Sequence, residues 1–245
     1  MPTVTSRAVA RVPRAFVRIA GPDARDYLQR MVSNDVEALG VGQACDALLL
    51  TAKARVIAPV RVLRRGEDDF LLSTEPELGA RVRNELLRSR FAAKAEIEPE
   101  EHESWLVLGS GEVLDERPEG EEVDENELER WRIESGIPRW GREIDERVLP
   151  AEAGLTETHV SFGKGCYPGQ EPIARQHYRG KLNRRLRVLH VEGDDVPQYD
   201  AQILHGEKVV GRITSAVPGL ALGYVRTEVP DEAQLSVNGH PARLH

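Results

Sequence analysis

The densest run of chemistry-bearing residues is KGCYPGQE at 164–171, continued by PIARQHYRGK to Lys181. Gly163, Gly165 and Gly169 free the backbone to take positive φ or to approach a ligand closely, and Pro168 stiffens the turn between them. Cys166 stands two residues from Lys164 and upstream of Arg175, His177 and Arg179, cations that stabilise a thiolate wherever the fold brings them near. The pattern suits a reactive thiol on a positioned loop. The alternative is a buried cysteine in a tight turn, since free cysteine is among the most buried residue types. Cys45, just ahead of the apolar run Ala47 to Leu50, reads as core. These are the only two cysteines, and no CxxC or HExxH spacing occurs, so neither a disulfide nor a resident zinc or iron–sulfur centre is expected.

A second candidate is Glu134, in the last turn of the helix that Leu128 and Trp131 mark and that Gly136 and Pro138 end. A carboxylate at the negative end of a helix is disfavoured by about 0.3–1 kcal/mol, so it calls for a partner in the protein or in a ligand. Otherwise it is an exposed glutamate of little consequence.

Charge is segregated along the chain. Between Glu96 and Glu129 there are fifteen Asp or Glu against the single Arg117. From Pro172 to Val191 there is no acid at all, while Arg175, Arg179, Lys181, Arg184, Arg185 and Arg187 lie close together with His177 among them. The net charge of −8 therefore hides a basic body that suits an anionic partner, or two solvated faces of opposite sign.

The elements that must hold these residues read as an α+β body followed by a small β unit. A strand near Val12 to Ile19 leads through Gly21-Pro22 into a helix with Ala24, Tyr27, Leu28 and Met31 on one face. Ser33-Asn34-Asp35 stops it. Apolar runs at Ala47–Leu50, Val56–Leu63 and Phe70–Ser73 suit a meander, and a helix with the stripe Leu78, Val82, Leu86 and Leu87 follows. Trp105 to Leu108 adds a strand, and Gly109 to Glu125 reads as an acidic linker or exposed loop. Beyond Leu182 come β-like runs at 186–191, 209–214, 220–226 and 235–237, divided by the turn signals Gly206-Glu207, Pro218-Gly219 and Asn238-Gly239. A small antiparallel barrel or sandwich is expected there. The 245 residues suffice for one large or two packed domains without covalent staples. No window approaches a membrane span and the first residues lack a secretory h-region, so the expected location is cytoplasmic.

KGCYPGQE matches the signature Lys-Gly-Cys-aromatic-x-Gly-Gln-Glu, and with MVSNDVEAL, WRIESGIPRWGREI, LPAEAGL, VGRITS and ALGYVR in order the chain resembles the YgfZ/GcvT-like folate-binding proteins, relatives of the glycine-cleavage T protein. The resemblance implies a cloverleaf of two α+β units around a central channel for tetrahydrofolate, with a C-terminal antiparallel β-barrel. The corresponding division is 1–47 with 123–182, an inserted unit at 48–122, and the barrel at 183–245. It also implies an accessory role in assembly or repair of iron–sulfur clusters in client enzymes, with Cys166 as the functional thiol and any effect on tRNA modification indirect. Glu134 falls where relatives hydrogen-bond the pterin ring, and Arg175 is the first candidate for the glutamate tail of folate. Lys164, Gly165, Tyr167, Gly169, Gln170 and Glu171 join the binding set through the signature. One departure stands out: the acidic pair of T proteins is replaced by Ala58 and Pro59, neither of which can move a proton. Two other readings stay open, an aminomethyltransferase-like enzyme and an RNA-binding module using 175–187.

Overall fold

The structure is a computed structural model and describes residues 7–245. The first six positions of the 1–47 segment lie outside the described residues. The chain divides into two compact units, each discontinuous: Met1–Glu121 with Leu155–Tyr178, and Glu122–Gly154 with Arg179–His245.

In the first unit the expected opening strand is two, β1 (Ala8–Arg11) and β2 (Ala15–Ala20), which enter different sheets. Pro13 separates them, because it has no N–H to continue a ladder. After α1 (Ala24–Met31) come β3 (Ala44–Leu50), β4 (Val56–Arg64) and β5 (Asp69–Thr74), then α2 (Gly79–Ser89) and β6 (Glu96–Glu100). The three central strands form the expected meander. The sheet order is β3-β4-β5-β2-β6, antiparallel throughout, with Ile19 opposite Phe70 and Val17 opposite Leu72. Helices α1 and α2 cover the sheet with the faces their periodicity marks: Ala24, Tyr27 and Leu28 from one, Val82 and Leu86 from the other, all buried. The Tyr27 hydroxyl donates to the Leu86 carbonyl at 2.6 Å, tying the two helices together.

The acidic stretch is not simply a linker. β7 (Ser104–Val107) and β8 (Gly111–Leu114) form a hairpin in a second sheet of order β8-β7-β1-β9, with β9 at Glu121–Glu122. Its acids are engaged by cations elsewhere in the first unit. Glu112 accepts from Arg14 at 2.5 and 2.9 Å, and Asp115 meets His102 Nδ1 at 2.6 Å while Glu100 meets its Nε2 at 2.9 Å.

This network makes a pH prediction. The Arg65 guanidinium, 2.7 Å away, holds the Glu100 carboxyl down to about 2. Burial depresses the imidazolium of His102, but the hydrogen bonds to Glu100 and Asp115 more than reverse this and raise its pKa above the ordinary value. A raised base stabilises fully below the unfolded value of about 6.5 and loses that contribution as pH climbs through the folded value; a depressed acid does the opposite. The network is therefore complete between about pH 5 and 6.5. Urea midpoints should fall more steeply above that window for the native chain than for His102→Gln, and parallel curves would contradict the assignment.

The chain then carries α3 (Glu125–Glu134), α4 (Thr156–His159) and α5 (Gln170–Arg179) before the barrel. Asp124 caps α3 through the amides of Asn126 and Glu127, with Glu127 reaching back to the Asp124 amide. In the second unit β10 (Arg184–Val191), β11 (Gln202–His205), β12 (Lys208–Val217), β13 (Leu220–Arg226), β14 (Leu235–Val237) and β15 (His240–Leu244) close into a six-stranded antiparallel barrel. All three expected turn dipeptides sit in its hairpins. Asn238 and Gly239 both take positive φ, 52° and 84°, as a two-residue hairpin of matching twist requires. Leu189, Val191, Ile203, Ile213, Val225 and Val237 fill the interior. On the outside Ile133 of α3 packs with Leu220 and Leu222.

A buried polar knot fastens the α3 segment to this barrel. The Glu143 carboxylate accepts from Arg132 Nη1 at 3.1 Å, the Arg139 amide at 3.0 Å and Ser215 Oγ at 2.7 Å, and its backbone carbonyl accepts from the Tyr224 hydroxyl at 2.7 Å. Glu143 is 1% exposed. Among the described residues, no helix is long and apolar enough to cross a membrane.

Candidate functional site

Two stretches far apart in sequence depend on one another within the first unit. Ser33, after α1, donates its hydroxyl to the His159 carbonyl at 2.6 Å and accepts from the Leu48 amide at 2.8 Å. Asn34 Nδ2 donates to the carbonyls of Asp46 at 2.7 Å and Thr158 at 3.2 Å, and the Ser161 amide donates to the Ser33 carbonyl at 3.0 Å. The end of α1 thus anchors the segment leading into the KGCYPGQE loop. The sequence marks Ser33-Asn34-Asp35 only as a helix stop. Its partners His159, Thr158 and Ser161 lie more than a hundred residues downstream, beyond the reach of any local pattern.

Lys164 completes the anchor. Its ammonium, only 8% exposed, donates to the carbonyls of Gln29 at 2.5 Å, Val32 at 2.6 Å and Asn34 at 2.9 Å. These are carbonyls that the C-terminus of α1 and the turn after it would otherwise leave without partners. All three N–H donors are engaged inside the protein, so Lys164 positions the loop. Burial pushes its pKa down to about 8, with Asp35 opposing that shift. Tyr167 is buried with its ring 5.2 Å from the Lys164 ammonium, and burial raises its hydroxyl to about 12.

The other end of the loop is held by close approach. Gly169 has φ +85°, and a Cβ there would stand 2.7 Å from the Thr51 carbonyl oxygen and 3.1 Å from Ala54 Cα, in the turn between β3 and β4. Only glycine fits. Gly163 and Gly165, by contrast, face open space. Between the two fixed ends Cys166 is exposed. Cys45 is half-buried, and burial raises its thiol to about 11, which makes it a poor nucleophile.

Gln170 and Glu171 open α5, where an acid suits the positive helix end. Their side chains, like that of exposed Arg175, have no partner among the described residues. His177 stacks on Phe162 with ring centroids 4.0 Å apart. Glu134 belongs to the other unit. It is exposed at the last position of α3, also with no partner among the described residues, although the helix end disfavours its charge. Ala58 is fully buried in β4 opposite Leu49, and the carbonyl of Pro59 accepts from Thr74 Oγ1 at 2.8 Å. The positions of the missing acidic pair are sheet interior.

Comparison with known proteins places this architecture. Residues 183–245 match the family model described as the CAF17 C-terminal β-barrel domain. The chain is 29% identical to an aminomethyltransferase from Nostoc sp. over 94% of its own length and 53% of that protein's. It is 26% identical to the mitochondrial iron–sulfur cluster assembly factor IBA57 of Mus musculus, covering 74% of this chain and 65% of that one. It is also 26% identical to a tRNA-modifying protein YgfZ from Serratia proteamaculans, covering 82% and 77%. The crystal structure of glycine cleavage system aminomethyltransferase T from Bartonella henselae superposes with a TM-score of 0.84 over 98% of this chain and 85% of that one, at 16% identity. These similarities support a YgfZ/IBA57/GcvT-like family for the chain. The GcvT-like α+β fold with its closed C-terminal barrel is the fold class expected from the sequence. This YgfZ/IBA57-like chain spans about half the length of the curated aminomethyltransferases it matches.

Proposed function

We propose that the protein is a tetrahydrofolate-binding accessory factor that supports assembly or repair of iron–sulfur clusters in client enzymes of the cytoplasm, with effects on tRNA modification following from those clients. The observation that carries the reading is an exposed thiol, Cys166, on a loop fastened at one end by the buried Lys164 ammonium and at the other by the glycine-only contact of Gly169. Relatives named as an iron–sulfur cluster assembly factor and as YgfZ support it.

The residues present suit a folate. Glu134 offers a carboxylate with no partner among the described residues, able to accept two hydrogens from the amino-pyrimidinone edge of a pterin. Among the described residues Arg175 offers an unpaired guanidinium for the carboxylates of a glutamate tail, and Gln170 and Glu171 carry further free polar groups. Gly165 leaves bare backbone beside the thiol, while Lys164, Tyr167 and Gly169 seat the loop. When bound, tetrahydrofolate would supply one-carbon or redox chemistry. The protein's share is to orient it and to present Cys166. In this reading the chain keeps the three-part division 1–47 with 123–182, 48–122 and 183–245. Ala58 and Pro59 weigh against aminomethyl transfer, because neither side chain can carry a proton.

Calorimetric titration of tetrahydrofolate into the native chain, Glu134→Ala and Cys166→Ser tests the division of labour. Loss of hydrogen bonds to a charged acceptor should weaken binding by Glu134→Ala about 10-fold or more. Cys166→Ser should bind nearly as the native chain does, yet fail to sustain the activity of a cluster-bearing client. Equal loss of folate affinity in both variants defeats the reading. Glu134→Gln has a second signature: it should raise unfolding stability by about 0.3–1 kcal/mol while still weakening folate binding, as expected where a ligand site is kept at the helix's expense.

A further inference from the structure

One mouth of the C-terminal barrel is a cavity of about 570 Å³, within the range of small-ligand sites, which favour such mouths. Strand periodicity explains its lining. Arg185 and Arg187 lie on the same face of β10 as the core residues Leu189 and Val191, so the strand that fills the barrel with hydrocarbon ends in two guanidinium groups at its rim. Lys181 and Arg226 join them there, and Asp231 is the one acid in the lining. The wall between them is apolar, formed by Val225, Val229 and Leu244.

The ionic partners decide what this rim lacks. Arg187 is paired with Asp231 at 2.8 Å, and Arg226 lies 3.8 Å from Glu228, which Lys208 also engages at 2.7 Å. Lys181 and Arg185 have no ion pair among the described residues. Two cations held in no ion pair among the described residues, Lys181 lying within electrostatic reach of Glu228, stand beside an apolar wall and match a ligand with about two negative charges concentrated on one group and a hydrophobic body behind it. A phosphate monoester carries about −1.5 to −2 at neutral pH. An arginine fork and a lysine are the side chains that grip it. No aromatic ring lines the cavity, so it lacks the stacking platform on which single-stranded nucleic acid is held.

We propose that the barrel mouth is a binding site for a small organic phosphate monoester, gripped by Lys181 and Arg185 and packed against Val225, Val229 and Leu244. It is independent of the folate reading, since it shares no residue with the groups assigned there. The probe is 1-naphthyl phosphate, titrated into the full chain by calorimetry and followed through the methyl resonances of Val225 and Val229. Binding should be about 10-fold or more tighter than for inorganic phosphate or 1-naphthol, because each supplies only half of the complement. Lys181→Gln with Arg185→Gln, both exposed and therefore compatible with folding, should lower affinity at least about 10-fold and abolish the methyl shifts, with tetrahydrofolate titration unchanged. No binding, shifts that survive the double substitution, equal binding of triglutamate, or preference for a 12-nucleotide RNA would each overturn the assignment.

Discussion

Glu143→Ala is expected to cost the protein about 3–5 kcal/mol, the usual penalty for removing one partner of a buried ion pair. The carboxylate gathers three donors from separate places: Arg132 in α3, the Arg139 amide in the following turn, and Ser215 on β12. Alanine leaves all three without this acceptor in a space that water does not reach. Arg132 keeps Glu129, at 2.8 and 2.9 Å, but loses the neutralising charge on its buried side. Glu143→Gln should cost less, because its amide oxygen can still serve Arg132 and Arg139 while its nitrogen turns to Ser215. Since domains are typically stable by only about 5–15 kcal/mol, the alanine variant should lose much of its cooperative unfolding transition in urea. A change below about 1 kcal/mol would show that the knot is not what fastens α3 to the barrel.

Lys164→Met should be nearly as damaging, by about 3 kcal/mol, with a different signature. Methionine replaces the buried stem but leaves the carbonyls of Gln29, Val32 and Asn34 without their shared donor, and each unsatisfied buried group costs about 1–3 kcal/mol. Lys164→Arg should not rescue it, because a planar fork cannot direct three donors from one point. Protease cleavage between 161 and 169 should accelerate in both variants, together with a lower urea midpoint. Native-like cleavage in Lys164→Arg would mean that charge alone holds the loop.

Elements specified by neighbours in sequence were readable from it, and those specified across the fold were not. The Asn238-Gly239 hairpin, the apolar face of α1 and the β3–β4–β5 meander follow from turn chemistry and periodicity, which act within a few residues. The acidic stretch misled because composition alone does not reveal that Glu112 will meet the distant Arg14, or Asp115 the ring of His102. The opening strand misled because Pro13 divides the stretch into two strands that enter different sheets. At the candidate site the exposure of Cys166 and the need for glycine at 169 fitted the loop's composition. The duty of Lys164 did not, because three backbone carbonyls leave no mark in the sequence. Glu134 was singled out by its place at a helix end, a local rule, and the structure shows it there with no partner among the described residues.

The interleaved halves have a consequence for synthesis on the ribosome. The first unit draws on Leu155–Tyr178, and the second on both Glu122–Gly154 and the barrel strands. Residues 7–121 are translated well before Leu155–Tyr178, yet they cannot receive their Lys164 clamp until more than forty further residues have been made. The nascent chain must hold that hydrophobic sheet in an incomplete state, with Gln29, Val32 and Asn34 open to solvent or to a chaperone. No single cut liberates either half intact, so dissecting this protein into separately expressed pieces requires rewiring its connectivity.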